Sequence, residues 1–175
     1  EGTFRPERVR QYAEGIGADA DKVLKNILVA RAFNSDHQML LLDRVAEMIK
    51  VGEPIRLMII DSLTAHFRAE FSGRGMLADR QQRLNRYLHN LMRIAEQNNL
   101  AVYVTNQVMS DPAQMFGDPT KAIGGNIVGH ACTYRMYLRR GKKDSRVCKL
   151  IDSPDLPDNE TVFMIETDGL RDIDV

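Results

Sequence analysis

The stretch Arg56-Leu57-Met58-Ile59-Ile60-Asp61-Ser62 sets four consecutive apolar residues directly before an aspartate. A strand with one wet face alternates polar and apolar residues; a continuous apolar run predicts a strand buried on both faces. Such strands build the parallel sheets of α/β domains, whose ligands bind outside the carboxyl ends of the strands. Asp61 stands at that end. A carboxylate there can hold a magnesium ion through water, beside a nucleotide phosphate. It can equally be a solvated turn residue, and this segment alone leaves both readings open.

The flanking chain follows α/β grammar. Pro6 suits a first helical turn, and Val9, Tyr12 and Ala13 continue a helix to Gly15-Ile16-Gly17. Asp19 is placed to cap a short helix carrying Val23 and Leu24. Residues 27–30 read as a buried strand. Ser35 and Gln38 have capping-box spacing and open a longer helix with Leu41, Val45 and Met48 as its buried stripe. Gly52-Glu53-Pro54 stops it. After Asp61, residues 62–79 are mixed in character, with Ser72-Gly73-Arg74-Gly75 as a flexible bend. A helix over about 79–98 follows, with Leu84, Leu88, Leu91 and Ala95 inward and Arg80, Arg83, Arg86 and Arg93 on its other faces. Ala101-Val102-Tyr103-Val104-Thr105 is a second β run leading into Asn106-Gln107. The last 40 or so residues read as antiparallel extensions of the same sheet, with turn signals at Gly141-Lys142-Lys143-Asp144 and Asp168-Gly169.

At 175 residues the chain has the length of one domain. Its 24 basic and 24 acidic residues cancel, so net charge suggests no nucleic-acid partner. The charge is unevenly placed, basic over 135–149 and acidic over 152–174. The basic hairpin reads first as a solvated face. Cys132 and Cys148 lack metal-ligand spacing and read as buried free thiols of a reducing compartment. His37, His66 and His89 have no clustered partners for zinc. No window approaches a membrane span, and there is no G-x-x-x-x-G-K-[ST] loop.

Residues 108–126 show no periodic pattern and carry Gly117, Pro119, Gly124 and Gly125. A loop this long is uncommon in a compact domain, and the exceptions are often functional. It starts at the strand end holding Gln107, whose amide accepts one hydrogen bond and donates two. Gln107 can therefore sense a terminal phosphate, or simply close an edge. His130 can meet a phosphate when protonated, or face solvent. Arg74 lies between two glycines in a bend that can aim its charge.

Several long segments carry a more specific signal. Glu1-Gly2-Thr3-Phe4-Arg5-Pro6-Glu7-Arg8, Ala30-Arg31-Ala32-Phe33-Asn34-Ser35-Asp36-His37-Gln38, the 57–62 run, Phe71-Ser72-Gly73-Arg74-Gly75, Ala78-Asp79-Arg80-Gln81-Gln82, Val104-Thr105-Asn106-Gln107 and Ile123-Gly124-Gly125-Asn126 closely resemble the archaeal RadA recombinases. These belong to the archaeal and eukaryotic branch of the RecA-like recombinase family, and the resemblance covers essentially the whole chain. It implies a RecA-like P-loop NTPase core, mostly parallel, extended by antiparallel strands and truncated at its N-terminus: one partial domain over 1–175. It implies ATP and Mg2+ as cofactors, and a filament on single-stranded DNA that pairs it with homologous duplex DNA in recombination and repair. Cytoplasmic, nucleoid-associated placement follows for an archaeal protein, and nuclear placement for a eukaryotic one.

By resemblance, Glu1 polarises the attacking water, Arg8 stacks on adenine, Asp61 holds magnesium through water, and Gln107 senses the γ-phosphate. His130 and the segment from Asp152 to Pro157 close over ATP from a neighbouring protomer. Arg74, with Arg80 just after it, belongs to a first DNA loop at about 72–79. Val108, Gly124, Gly125 and Asn126 belong to a second at about 108–126. The helix with Leu41, Val45 and Met48, together with Ala30, walls a pocket for a neighbour's Phe-x-x-Ala peptide. The family's P-loop, polymerisation peptide and N-terminal helical domain are missing from these residues. The ATPase is accordingly expected of a longer parent and not of this chain alone, whose sheet would keep apolar edges exposed. The alternative is a non-catalytic relative acting as a binding module.

Restored to a chain that includes a P-loop, Arg74→Ala is expected to weaken single- and double-stranded DNA binding with little dependence on base sequence, because phosphate contacts carry no code. A salt titration should give a shallower slope of log K against log salt. An unchanged affinity and slope would remove Arg74 from the DNA surface.

Overall fold

The structure, a computed structural model, describes residues 2–110 and 120–173; of Arg74, Ser110, Thr120 and Lys121 it describes the backbone alone. The expectations for Glu1 and for residues 111–119 lie outside the described residues. In chain order the elements are α1 (Pro6–Gly15), α2 (Ala20–Lys25), α3 (Ser35–Lys50), β1 (Leu57–Ile60), α4 (Ala65–Glu70), α5 (Leu77–Asn98) and β2 (Ala101–Val104). Then come β3 (Val108–Ser110), β4 (Thr120–Ala122), α6 (Gly125–Ala131), β5 (Arg135–Arg140), β6 (Arg146–Asp152), β7 (Asn159–Glu166) and β8 (Gly169–Asp172). They form two compact units, one of Ala30–Ala131 and one of Gly2–Val29 with the segment from Cys132 onward.

In the first unit β1 and β2 pair in parallel, Leu57 opposite Ala101 and Ile60 opposite Val104. α5 buries Leu84, Tyr87, Leu88, Leu91 and Ile94, a stripe at helical spacing. It ends as expected at Asn99, which adopts the left-handed conformation (φ 48°) and donates its amide to the Ala95 carbonyl. α4 emerges from the stretch of mixed character because Phe67 is fully buried there, its ring 5.8 Å from that of Tyr87. The stem of the long loop is a short antiparallel pair, Val108 opposite Ala122 and Ser110 opposite Thr120. Its roots are thus paired, where the sequence showed no periodic pattern.

In the second unit β5, β6, β7 and β8 form one antiparallel sheet in chain order. The β5–β6 turn closes through the Gly141 amide on the Ser145 carbonyl, with Lys143 and Asp144 both at positive φ. Asp19 caps α2 by accepting from the Lys22 amide at 3.0 Å. Cys132 and Cys148 are unpaired and half-buried. Burial raises the Cys132 thiol pKa, opposed by the charge of Arg135. Among the described residues no helix is long and apolar enough to cross a membrane.

The α/β class holds, and five local expectations change. Residues 27–30 form no strand, and Leu28 and Val29 are exposed; a strand is defined by its ladder, and this run meets none among the described residues. β1 is not covered on both faces: Met58 and Ile60 are half-buried, whereas Leu57 and Ile59 are 54% and 62% exposed. α3 is capped by Asn34, whose Oδ1 accepts from the His37 amide at 2.7 Å. Ser35 is not the cap because its hydroxyl is engaged by Glu70. The buried stripe of α3 runs through Ser35, Gln38 and Leu42, leaving Leu41, Val45 and Met48 half-buried. Finally, β5–β8 hydrogen-bond with one another and, among the described residues, not with β1 or β2. Short turns join them, and local closure costs the least chain entropy.

Phe67→Ala should cost about 3–5 kcal/mol of stability, read from the shift of the urea unfolding midpoint. A loss below roughly 1 kcal/mol would mean that α4 does not belong to the core.

Candidate functional site

The ends of β1 and β2 lie level, because the parallel register continues one residue past each strand: the Thr105 amide donates to the Ile60 carbonyl at 3.0 Å. Thr105 therefore stands opposite Asp61, and its hydroxyl donates to Asp61 Oδ1 at 2.6 Å. The Leu63 amide donates to the Thr105 carbonyl at 2.9 Å. Thr64, almost fully buried, donates its hydroxyl to Asn106 Oδ1 at 2.7 Å. Asn106 in turn donates Nδ2 to the Ile123 carbonyl at 2.6 Å. The Ile123 amide closes the circuit on the Gln107 carbonyl at 3.0 Å. Residues 105–107 are thus held to the β1 end on one side and to the root of α6 on the other.

Asp61 and Gln107 are both exposed at this edge. One Asp61 oxygen accepts the Thr105 hydroxyl, and a carboxylate has acceptor capacity for more. Among the described residues no group of three or more His, Cys, Asp or Glu is placed to enclose a cation. That excludes an all-protein cage built from them. A single carboxylate beside a hydroxyl instead fits magnesium, which keeps several waters and takes one or two carboxylates plus phosphate oxygens.

The loop roots adjoin this edge. Val108 opens β3 immediately after Gln107. Gly124 has φ +95°, and a Cβ there would overlap the Val128 side chain, so the turn into α6 needs glycine. Gly125 and Asn126 are exposed in the first turn of α6. Arg74 begins a 3-10 turn, Arg74–Met76, directly before α5, and Arg80 is half-buried in α5. His130 is exposed in the last turn of α6. It shares with Asn85, His89 and Met92 a groove of about 310 Å³ between α5 and α6. Ala30 is exposed.

In the second unit Arg8 ties α1 to the β7–β8 turn. Its guanidinium lies 4.3 Å from the Tyr12 ring centre, a cation–π distance. It donates to the carbonyls of Thr167 (2.8 Å) and Glu166 (2.5 Å). Asp152 Oδ2 accepts from Arg135 Nε at 2.9 Å and Nη2 at 2.7 Å. Ser153 Oγ accepts the Leu156 amide at 2.9 Å, shaping the turn that leads to the exposed Pro157. The Tyr134 hydroxyl donates to Asp155 at 3.0 Å, which raises the tyrosine pKa through that bond and the carboxylate charge.

The structure therefore gathers Asp61, Gln107, Val108 and Gly124 within one unit. Arg8, Asp152 and Pro157 belong to the other. Sequence reasoning missed Thr105, Thr64 and Asn106. A signal existed, since Thr105 follows its apolar run as Asp61 follows its own, but only the pairing register makes that positional match a contact.

The sequence profile of the Rad51 family matches residues 1–173. A DNA repair and recombination protein RadA of Methanocorpusculum labreanum is 52% identical over 185 residues, covering 98% of this chain and 56% of that protein. A protein of the same description from Methanococcus maripaludis is 55% identical over 172 residues, covering 98% of this chain and 53% of that protein. The chain spans about half the length of these curated relatives.

Thr64→Val should cost about 1–3 kcal/mol, because it leaves the Asn106 acceptor without its hydroxyl donor. A denaturant titration reads it. An unchanged midpoint would show that the Thr64–Asn106 bond does not hold in solution.

Proposed function

The chain belongs to the Rad51 family, and from that premise we propose that it carries part of an ATP-dependent recombinase that exchanges DNA strands in homologous recombination and repair. The observation that carries the reading is the edge joining Asp61 and Gln107. A carboxylate and an amide stand at neighbouring parallel strand ends, and the Gln107 carbonyl is bonded to Ile123, at the root of the second loop. A group that senses phosphate is thus one residue from a segment that can hold DNA.

In this proposal Asp61, oriented by the Thr105 hydroxyl, holds the water shell of magnesium. Gln107 donates its side-chain amide to the terminal phosphate. Glu1 takes a proton from the attacking water. Arg8 lies against adenine, and His130 with the segment from Asp152 to Pro157 covers the nucleotide of an adjacent protomer in a filament. Magnesium and ATP, when bound, supply the phosphoryl group and neutralise its charge. Arg74, Arg80, Val108, Gly124, Gly125 and Asn126 meet the DNA backbone. Ala30, Leu41, Val45 and Met48 receive an apolar Phe-x-x-Ala peptide; the half-burial of the three α3 residues leaves apolar surface for it. Hydrolysis needs phosphate-loop groups that these 175 residues do not contain, so it belongs to a longer protein that includes them. The proposed site of action is the cytoplasm, on DNA.

The test is a thermodynamic cycle in a chain that includes the phosphate loop. DNA affinity is measured with a non-hydrolysable ATP analogue and with ADP, for wild type and Gln107→Ala. Nucleotide and DNA should help each other by about 1–3 kcal/mol, and Gln107→Ala should bring that coupling toward zero while changing either affinity less. A mutant that keeps the wild-type ratio would reduce Gln107 to a polar strand terminus.

A further inference from the structure

The first turn of α3 makes more bonds than a helix start requires. Asn34 already caps it. The next residue, Ser35, is fully buried, and both its amide (2.7 Å) and its hydroxyl (2.5 Å) donate to the Glu70 carboxylate. Glu70 is the last residue of α4, so the first segment proposed to meet DNA starts just beyond it. Asp36 pairs with Arg83 of α5, and the same guanidinium lies 5.1 Å from the centre of the Phe71 ring. Consecutive residues of one helical turn thus grip that segment on both sides, at Glu70 before it and at Arg83 after it.

This turn is also bonded to the nucleotide edge. Gln38 donates Nε2 to the Leu63 carbonyl at 3.2 Å. Leu63 donates its amide to the Thr105 carbonyl, and Thr105 donates its hydroxyl to Asp61. A continuous path runs from Asp61 through residues 105, 63 and 38 into α3, and from α3 through Ser35 to Glu70. The two grips are unequal. The Asp36 and Arg83 side chains are 73% and 40% exposed, and a surface ion pair of that kind holds little. The Ser35–Glu70 contact ends on a fully buried serine and joins a carboxylate to two donors, so it is directional and charge-assisted. An apolar pair would fill the same space without fixing the angle at which α4 ends.

We propose that Glu70 is a positioning residue: held by Ser35, it sets residues 71–76 in a register governed by the nucleotide edge. Glu70 touches neither nucleotide nor DNA. The inference rests on the recombinase reading and adds to it a second way out of the same edge, through α3 and α4 instead of the long loop.

The experiment uses the chain with its phosphate loop and compares wild type, Ser35→Ala, Glu70→Gln and the double variant. Single-stranded DNA affinity is measured with a non-hydrolysable ATP analogue and with ADP. Nucleotide affinity without DNA and the thermal midpoint serve as controls, and hydrogen exchange is followed over residues 71–76. Ser35→Ala is expected to cut the ratio of the two DNA affinities by about tenfold, within the usual range of such couplings. Nucleotide affinity should stay within about twofold while exchange over 71–76 rises. Because the two residues act through one contact, the double variant should be no worse than the worse single one. Should Ser35→Ala fail to fold, Glu70→Gln, which keeps the shape and loses the charge, carries the comparison. A wild-type ratio in a folded variant, or single effects that add, overturns the inference and leaves the recombinase reading standing. A wild-type protein that binds DNA equally with both nucleotides overturns that reading, and this inference with it.

Discussion

The parallel register of β1 and β2 is the constraint on which the candidate site depends. Ladder bonds run from the Arg56 carbonyl and Ala101 amide at one end to the Ile60 carbonyl and Thr105 amide at the other. A slip of one residue would turn every side chain of one strand to the opposite face. It would also separate Thr105 from Asp61, and with that contact would go the alignment of Asn106 with Thr64 and of Gln107 with Ile123. Two four-residue strands cannot secure such a register by themselves. The turns at their carboxyl ends secure it, through the Leu63 amide on the Thr105 carbonyl and the buried Thr64 hydroxyl on Asn106.

Magnitudes separate what holds the units from what tunes them. The buried stripe of α5, with Phe67 against Tyr87, supplies the hydrophobic term, at roughly 1.5–3 kcal/mol for each fully buried large side chain. The ion pairs Arg10–Asp21, Arg44–Glu47 and Arg171–Asp168 are all substantially exposed, and pairs of that kind add little to stability. Their chemistry is local. Arg171 holds the Asp168 carboxyl below the usual carboxylate range through a direct hydrogen bond. Any stability that this shift links to pH is present above the unfolded-state pKa of Asp168 and is lost as pH falls through the lowered folded value.

Much of this was legible in the residues. The β1 run, the α5 stripe, the Asp19 cap and the antiparallel hairpins all follow from periodicity and turn chemistry. Recognition of the family rested on long matching segments, and the Rad51 profile match over residues 1–173 bears it out. The rest depended on pairing that no local pattern encodes. Residues 27–30 have the composition of a strand but meet no ladder among the described residues. Ser35 has the identity of a cap, yet the role went to Asn34, because the Glu70 carboxylate, 35 positions away, takes its hydroxyl. β3 and β4 are three residues each, too short to show a period. Within the site, Asp61 and Gln107 were visible as single residues, while Thr105 became visible only through register.

Arg8 reaches the Thr167 carbonyl, 159 positions further along the chain. On a ribosome adding about 5–20 residues per second, those partners emerge roughly ten to thirty seconds apart. Of these elements α1 and α2 are made first, and the strands they belong with are made last. The residues of Ala30–Ala131 are made in between. The order of synthesis therefore lets the middle of the chain start to fold while α1 and α2 wait, and the edge that carries Asp61 and Gln107 can form before the sheet of the second unit exists.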